Sequence, residues 1–383
     1  MGKLYYNKFV FLFWLTKLYK KKTGKPVDKI DISKLPEFDR ILILSTTAIG
    51  DTLLSTPVVT ALREEYPSAI IKLMVRHRYC NFFKNNPDIN DIIPFHKGWA
   101  GLLRMWWKIK KENFTIAIVL HTSDPFPVAV SVLSGIPCII GKSLQPRFDP
   151  FFSKFIRPNY DKHAIERRMN VLKIIRPQRT SWPHRLVLPT DPLKTKDTCR
   201  ALYKELQLPE NNYISIGFQP GASRNFKIWP KKNFIELGKK LLTRDKRIIL
   251  FILGNAKETP LGKEIVHGID QDRRVFSLCG KTSLTDLPYV VKGLNLIITN
   301  DTGTLHIAIA AGTPTVSLFV PTDPHGTGPF QDLEKHHIIF KKRPCGDDCV
   351  GKKCTLSISC MDLIKVDEVF DATLALLSRT SDI

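Results

Sequence analysis

Residues 293–329 read GLNLIITNDTGTLHIAIAAGTPTVSLFVPTDPHGTGP, and this stretch decides the fold. Residues 294–299 form an apolar, β-branched run, the pattern of a buried strand. Asn300-Asp301-Thr302-Gly303-Thr304 follows as a turn of small polar residues. Residues 305–311, rich in Ala and Ile, predict a helix, and Gly312 suits its end. Residues 315–320 predict a second buried strand, closed by Pro321 and by a loop holding Pro324 and Pro329. Strand, turn, helix, strand is a βαβ unit, whose natural host is a parallel sheet. Such sheets bind ligands at the carboxyl ends of their strands, where helix N-termini aim amides and positive dipole at anions. The turn at 300–304 stands at such an end.

The same pattern extends on both sides. Upstream, residues 213–218 predict a strand that runs into Gln219-Pro220-Gly221-Ala222-Ser223. Backbone amides and a hydroxyl are exposed in that turn, and Lys227 follows closely, which together suit a diphosphate. Alone, Lys227 is equally a lysine on a loop. Residues 247–253 predict a strand ending in Gly254-Asn255, with Glu258 where it would accept hydrogen bonds from a ribose. A strand at 275–278 and helices at 191–207, 233–242 and 283–292 complete a doubly wound α/β domain. A second such domain opens at residue 40. Residues 40–45 predict a strand, Thr47-Ala48-Ile49-Gly50-Asp51 a turn, and residues 52–66 a helix containing Pro57. Locally, Asp51 reads first as the N-cap of that helix and second as a general base. Strands at 70–75, 116–120 and 136–140 follow, and His121-Thr122-Ser123-Asp124 forms a polar strand end. Arg147, Arg157, Arg167, Arg168, Arg176, Arg179 and Arg185 crowd a short span beyond them. Arginine suits carboxylates and phosphates, so one or two of these are expected at a substrate.

Length and charge set the outer bounds. A chain of 383 residues suits two ordinary domains. Its apolar fraction of 43% supports sizeable cores and excludes disorder. Residues 1–190 hold 31 Lys/Arg against 14 Asp/Glu, and residues 191–383 hold 27 against 22. The first half therefore faces something anionic. No nucleic-acid module is recognisable, so no nucleic-acid partner is expected. Residues 3–22, KLYYNKFVFLFWLTKLYKKK, mix aromatics with lysines but lack the roughly 20 apolar residues that span a bilayer. They read as an amphipathic helix lying on an anionic membrane surface or, alternatively, packed on the protein's own core. Residues 96–113 offer the same pair of readings. Cys80, Cys138, Cys199 and Cys279 stand alone and read as reduced. Cys345, Cys349, Cys354 and Cys360 cluster, open to a structural zinc or iron, to free thiols or to disulfides.

Taken together, ILILSTTAIGDTLLSTP, PGASRNFKIWP, CGKTSL, NDTGTLHIAIAAGTP and PTDP make the chain resemble glycosyltransferase family 9, the ADP-heptose:lipopolysaccharide heptosyltransferases. The matching runs span residues 40–361 in the family's order. The resemblance implies a GT-B architecture, two Rossmann-like domains facing a cleft, with a C-terminal helix returning to the first. With the residue readings above, the chain divides into a membrane-associating segment and linker (1–37), a first Rossmann-like domain (38–190) that the resemblance makes the acceptor domain, a second (191–340) that it makes the donor domain, and a tail (341–383). It makes Asp51 the catalytic base, against its local reading as a cap. It puts Gly221, Ser223 and Lys227 at the donor diphosphate, Glu258 at the ribose, Thr282 at the adenine, and Asp301, Thr302, Gly303 and His306 in the donor loop. Ser45 departs from the arginine many relatives carry. The implied reaction is inverting transfer from ADP-heptose to an anionic lipid-linked acceptor at the cytoplasmic face of the inner membrane, with no catalytic metal. Two other readings stay open: a related transferase using another nucleotide sugar or a protein acceptor, and a silent nucleotide-binding scaffold.

Overall fold

The structure, a computed structural model, describes residues 11–12, 14–19, 21, 38–143, 146–208, 213–269, 273–343, 345 and 359–380. The chain divides into two compact units, Met1–Val187 and Leu188–Ile383. The first holds β1 (Arg40–Ser45), β2 (Ile70–Arg76), β3 (Asp91–Phe95), β4 (Ile116–His121), β5 (Cys138–Lys142) and β6 (Lys154–Ile156). The second holds β7 (Ile214–Gln219), β8 (Ile248–Ile252), β9 (Val275–Ser277), β10 (Leu296–Asn300), β11 (Thr315–Phe319) and β12 (His336–Phe340). The sheet orders are β3-β2-β1-β4-β5-β6 and β12-β11-β10-β7-β8-β9, and every pairing is parallel. The two units thus share one doubly wound topology. In each, the strand order reverses between the first and fourth strands, β1 and β4 or β7 and β10, which is where such sheets open a crevice.

Parallel sheets need both faces covered, so their central strands read as continuous apolar runs. Residues 41–45 of β1 and all of β8, β10 and β11 are buried. The strands without a sequence expectation are β3, β6 and β12, and all three lie at sheet edges. Edge strands carry weaker patterns: β3 contains Pro94, β6 has three residues, and β12 leaves three of its five exposed.

One expectation about helices needs correction. Residues 52–66 are not one helix but end one and form another, Ile49–Leu53 and Thr56–Glu65. Pro57 explains the break, since proline is tolerated only in a helix's first turn and here stands in the first turn of the second. The C-terminal helix, Val366–Thr380, buries Val369, Ala372 and Leu376 in the second unit's core with Trp229 and Phe234. Trp229 is fully buried, and its indole N–H donates to the Ile364 carbonyl at 3.0 Å, pinning the segment that leads into this helix.

At the N-terminus, residues 11–12, 14–19 and 21 are helical. Leu12 joins the first unit's core, Thr16 is buried, and Phe11 meets Trp99 edge-on at 5.5 Å. Trp14, Lys17, Leu18 and Lys21 face outward. Both readings of this segment are therefore partly realised, one face packed and one exposed. Lys20 and Lys22 lie outside the described residues. No described helix is long and apolar enough to cross a membrane.

Candidate functional site

In the first unit, the chemistry gathers at the carboxyl ends of β1, β4 and β5. Asp51 lies in the first turn of the short helix that follows β1; the N-cap is Ala48, so the local reading of Asp51 as a cap is wrong. Its carboxylate is 34% exposed, open to a ligand on one side. On the other side Arg168, only 2% exposed, donates from Nη2 to Asp51 Oδ1 at 3.3 Å. Three further bonds fix this arrangement. Arg168 Nε donates to Ser55 Oγ at 3.1 Å, Nη1 donates to the Ala164 carbonyl at 2.8 Å, and Ser55 Oγ lies 3.1 Å from Ser45 Oγ. Ser45 is thus a buried partner of the network.

His121, the last residue of β4, brings Nε2 to 3.9 Å from the same Asp51 oxygen. Its Nδ1 lies 2.7 Å from Thr47 Oγ1. Burial, reinforced by Arg168, pushes the imidazole down to about 4, so it is neutral near pH 7. Lys142, the last residue of β5, is 6% exposed, and burial with Arg168 and Arg167 lowers its ammonium to about 8. Burial also brings Arg168 down to about 10, against the pull of Asp51. Sequence reading named Arg168 only as one of seven arginines and missed Lys142 and the partnership of His121. Their signal was position: each strand-end residue was polar after an apolar run.

Among the other arginines, Arg176 and Arg179 pair with Glu65 and Glu64, and Arg157 pairs with Asp149. These are internal ion pairs of the unit. The side chain of Arg147 lies outside the description.

In the second unit the residues expected at a donor lie in the loops after β7, β8, β9 and β10, at the carboxyl end of its sheet. After β7, Gly221 packs so closely on Glu258 that an added Cβ would lie 1.7 Å from Glu258 Oε1. Glu258 is held there because its Oε2 accepts from the Asn255 amide and from Asn255 Nδ2, both at 2.7 Å. Lys227 reaches the β10 turn and bonds Asp301 Oδ2 at 2.5 Å, an oxygen that also accepts from Thr322 Oγ1 at 2.8 Å. Thr302 stands at the N-cap position of the helix Gly303–Ala311 without a side-chain cap bond, which leaves the helix's first amides without intrahelical partners, and His306 is buried one turn in. Thr282 stands half-buried after Gly280, whose amide donates to the Gly254 carbonyl, so its loop lies beside that of Glu258. Ser223 is exposed and bonds none of these residues. Asn300 does the positioning. Its Nδ2 donates to the Gln219 and Pro220 carbonyls at 3.3 and 2.9 Å, and its Oδ1 accepts from the Trp229 amide at 3.1 Å. One buried amide thereby joins the β10 turn to both ends of the Gly221–Lys227 loop.

Of the clustered cysteines, Cys345 is exposed and Cys360 half-buried, while Cys349 and Cys354 lie outside the described residues. Among the described residues no group of three or more metal-ligating side chains is present, and Cys80, Cys138, Cys199 and Cys279 are free thiols.

Comparison with known proteins adds the following. Lipopolysaccharide heptosyltransferase 2 of Escherichia coli K12 is 26% identical over 312 residues, covering 76% of this chain and 85% of that protein. Lipooligosaccharide heptosyltransferase 2 of Haemophilus influenzae is 26% identical over 323 residues, covering 76% and 86%. In structure, the E. coli ADP-heptose lps heptosyltransferase II matches with TM-score 0.72 at 24% identity, over 89% of this chain and 99% of that one. A glycosyl transferase of family 9 from Veillonella parvula matches with TM-score 0.79 at 23% identity, over 91% and 99%. The shared fold is of the GT-B class. The sequence profile of glycosyltransferase family 9 (heptosyltransferase) matches residues 102–357, about two thirds of the sequence, including the second unit up to residue 357. A match of that extent, on this fold, makes the conclusion direct: the chain is an enzyme of glycosyltransferase family 9, the heptosyltransferases.

Proposed function

We propose that this enzyme transfers heptose from ADP-heptose to an anionic, lipid-linked core oligosaccharide of lipopolysaccharide, with inversion at the anomeric carbon. The donor and acceptor classes are those named for its relatives. The observation that carries the reading is the half-exposed Asp51 backed by a buried guanidinium at the β1/β4 crevice, in a chain of this family. Residues 38–190 take the acceptor and residues 191–340 the donor, between the N-terminal segment 1–37 and the tail 341–383.

The roles follow from chemistry. Asp51 removes the proton from the acceptor hydroxyl as its oxygen attacks the anomeric carbon. The bond from that carbon to the diphosphate breaks, and ADP leaves with the electron pair. Lys227 and the amides near Gly221 and Gly303 meet the growing charge on the diphosphate. Asp301 holds Lys227 in position, Ser223 binds phosphate oxygen, Glu258 the ribose and Thr282 the adenine. Thr302 and His306 shape the donor loop. The exposed face of the N-terminal helix attaches the enzyme peripherally to the cytoplasmic face of the inner membrane. The spacing of Cys345, Cys349, Cys354 and Cys360 suits a structural zinc or iron, which elemental analysis of the purified protein tests.

The donor is tested by thermal stability with ADP-heptose, ADP-glucose, UDP-glucose and GDP-mannose, each alone, since a ligand of the native state raises the melting temperature. A shift confined to ADP-heptose is expected; a larger shift with a UDP or GDP sugar sinks the heptose assignment. The base is tested with Asp51→Asn, which should lose about 10²–10⁴-fold in kcat while donor binding stays intact. Full turnover in that variant removes Asp51 from the role, and a wild type that binds donors without turnover favours the scaffold.

A further inference from the structure

The run Pro321-Thr322-Asp323-Pro324 leaves β11 at the same end of the sheet as Asp301 leaves β10. The two strands pair in parallel, with Asn300 opposite Leu318, so the turns that follow them stand side by side. Between these turns Thr322 Oγ1 donates to Asp301 Oδ2 at 2.8 Å, and Lys227 Nζ donates to the same oxygen at 2.5 Å. A carboxylate oxygen offers two lone-pair sites, and these two donors suffice to fill them. The meeting point is sheltered, with the Asp301 side chain 9% exposed and that of Lys227 20%. Shelter from water strengthens both bonds and raises the cost of leaving either unmade. On its other flank the chain at Thr322 borders a cavity of about 220 Å³, shared with Phe340, Lys342 and Arg343. The bond to Asp301, rather than close packing on that flank, therefore anchors the threonine.

We propose that Thr322 is a positioning residue of the donor site: by sharing Asp301 Oδ2 with Lys227, it holds the ammonium where that group meets the donor's diphosphate. This rests on the reading of Lys227 as the diphosphate's cation. The shared oxygen acts on Lys227 in two ways. It fixes the rotation of the Asp301 carboxylate, and with it the place at which the ammonium is held. It also spends part of that oxygen's accepting capacity on a neutral hydroxyl, so Asp301 steadies Lys227 without taking all of its three N–H groups, and the rest serve phosphate oxygens. Without the hydroxyl, the carboxylate turns and draws the ammonium to itself, and the diphosphate loses its share. A threonine that only filled space in the turn would not distinguish ligands with phosphate from ligands without it, and this difference is measurable.

The experiment measures the Kd of ADP and of adenosine for the full-length protein. Wild type, Thr322→Val, Thr322→Ser, Lys227→Met and the double variant Thr322→Val/Lys227→Met are compared. Valine keeps the branched shape and removes the hydroxyl, while serine keeps the hydroxyl. The Kd of ADP should rise about three- to tenfold in Thr322→Val, the net worth of one hydrogen bond. The Kd of adenosine should stay unchanged, and Thr322→Ser should bind ADP close to wild type. Thr322→Ala, which also lacks the hydroxyl, should match Thr322→Val and guards against a poorly folded valine variant. In the Lys227→Met background the valine substitution should cost nothing more, because its effect runs through the ammonium. An ADP affinity unmoved in Thr322→Val and Thr322→Ala, equal losses for ADP and adenosine, or losses that simply add in the double variant overturn the role. Wild-type ADP affinity in Lys227→Met would instead remove Lys227 from the diphosphate, so failure of that reading and failure of the role of Thr322 are told apart.

Discussion

Arg168 shows how much one residue can hold. Its guanidinium sits wholly inside the first unit and divides its donors between Asp51, Ser55 and the Ala164 carbonyl. A buried arginine needs such a set, since each unanswered N–H costs a hydrogen bond. The consequence for Asp51 is orientation: one carboxylate oxygen is fixed. We therefore expect Arg168→Met to lower kcat by about 10–100-fold, the usual range for lost positioning, with donor binding unaffected. Equal losses of kcat and of donor binding would mean that Arg168 only supports the fold. The sequence pointed to a group of arginines here and could not choose among them. The choice depends on the helix Ala164–Met169 presenting Arg168 inward while Arg176 and Arg179 turn to Glu65 and Glu64, contacts more than a hundred residues apart in the chain.

At the scale of elements, the edge strand β12 carries the clearest pH signature. His336 begins it, facing Thr315 of β11 with Nδ1 and Thr315 Oγ1 at 3.0 Å. Its Nε2 is buried without a partner among the described residues, and burial lowers the ring to about 4. The sign follows from linkage. Below pH 6.5 the unfolded chain binds a proton at this ring, while the folded chain does so only near pH 4. Stability therefore falls as pH drops through that window, by at most about 3 kcal/mol from this group. The melting temperature of His336→Gln should decline less steeply than that of wild type between pH 6.5 and 4; parallel curves would refute it. Elements were legible in proportion to their burial on both faces. Central strands β1, β7, β8, β10 and β11 announce themselves as apolar runs. The edge strands β3, β6 and β12 are half-solvated, so pairing rather than pattern makes them strands.

On the scale of the molecule, the charge is uneven and so is the surface. The N-terminal helix buries Leu12 and Thr16 but exposes Phe11, Trp14 and Leu18. Its Phe11 meets Trp99, at the start of the helix Trp99–Glu112, where Leu103 and Trp107 are exposed as well. Lys110 and Lys111 lie over the rings of Trp106 and Trp107. Aromatic and lysine side chains on one pair of helices suit an anionic lipid surface. The protein should sediment with vesicles containing phosphatidylglycerol, release at high salt, and bind several-fold more weakly with Trp14 and Trp107 both changed to Ser. Equal binding to neutral vesicles, or no loss in the variant, would refute membrane attachment.

The sequence alone determined the class of fold and the family, because buried parallel strands and small-residue turns are local patterns that survive without knowledge of their neighbours. It also marked Asp51, Lys227 and Asp301, since each follows a predicted strand end. What only the tertiary structure decided is which groups meet. Asp51 joins Arg168 and His121, Lys227 joins Asp301, Gly221 lies against Glu258, and Asn300 ties two loops together. The physical reason is that a hydrogen bond or ion pair depends on distances of a few ångströms between residues far apart in the chain, and only the packed sheets set those distances.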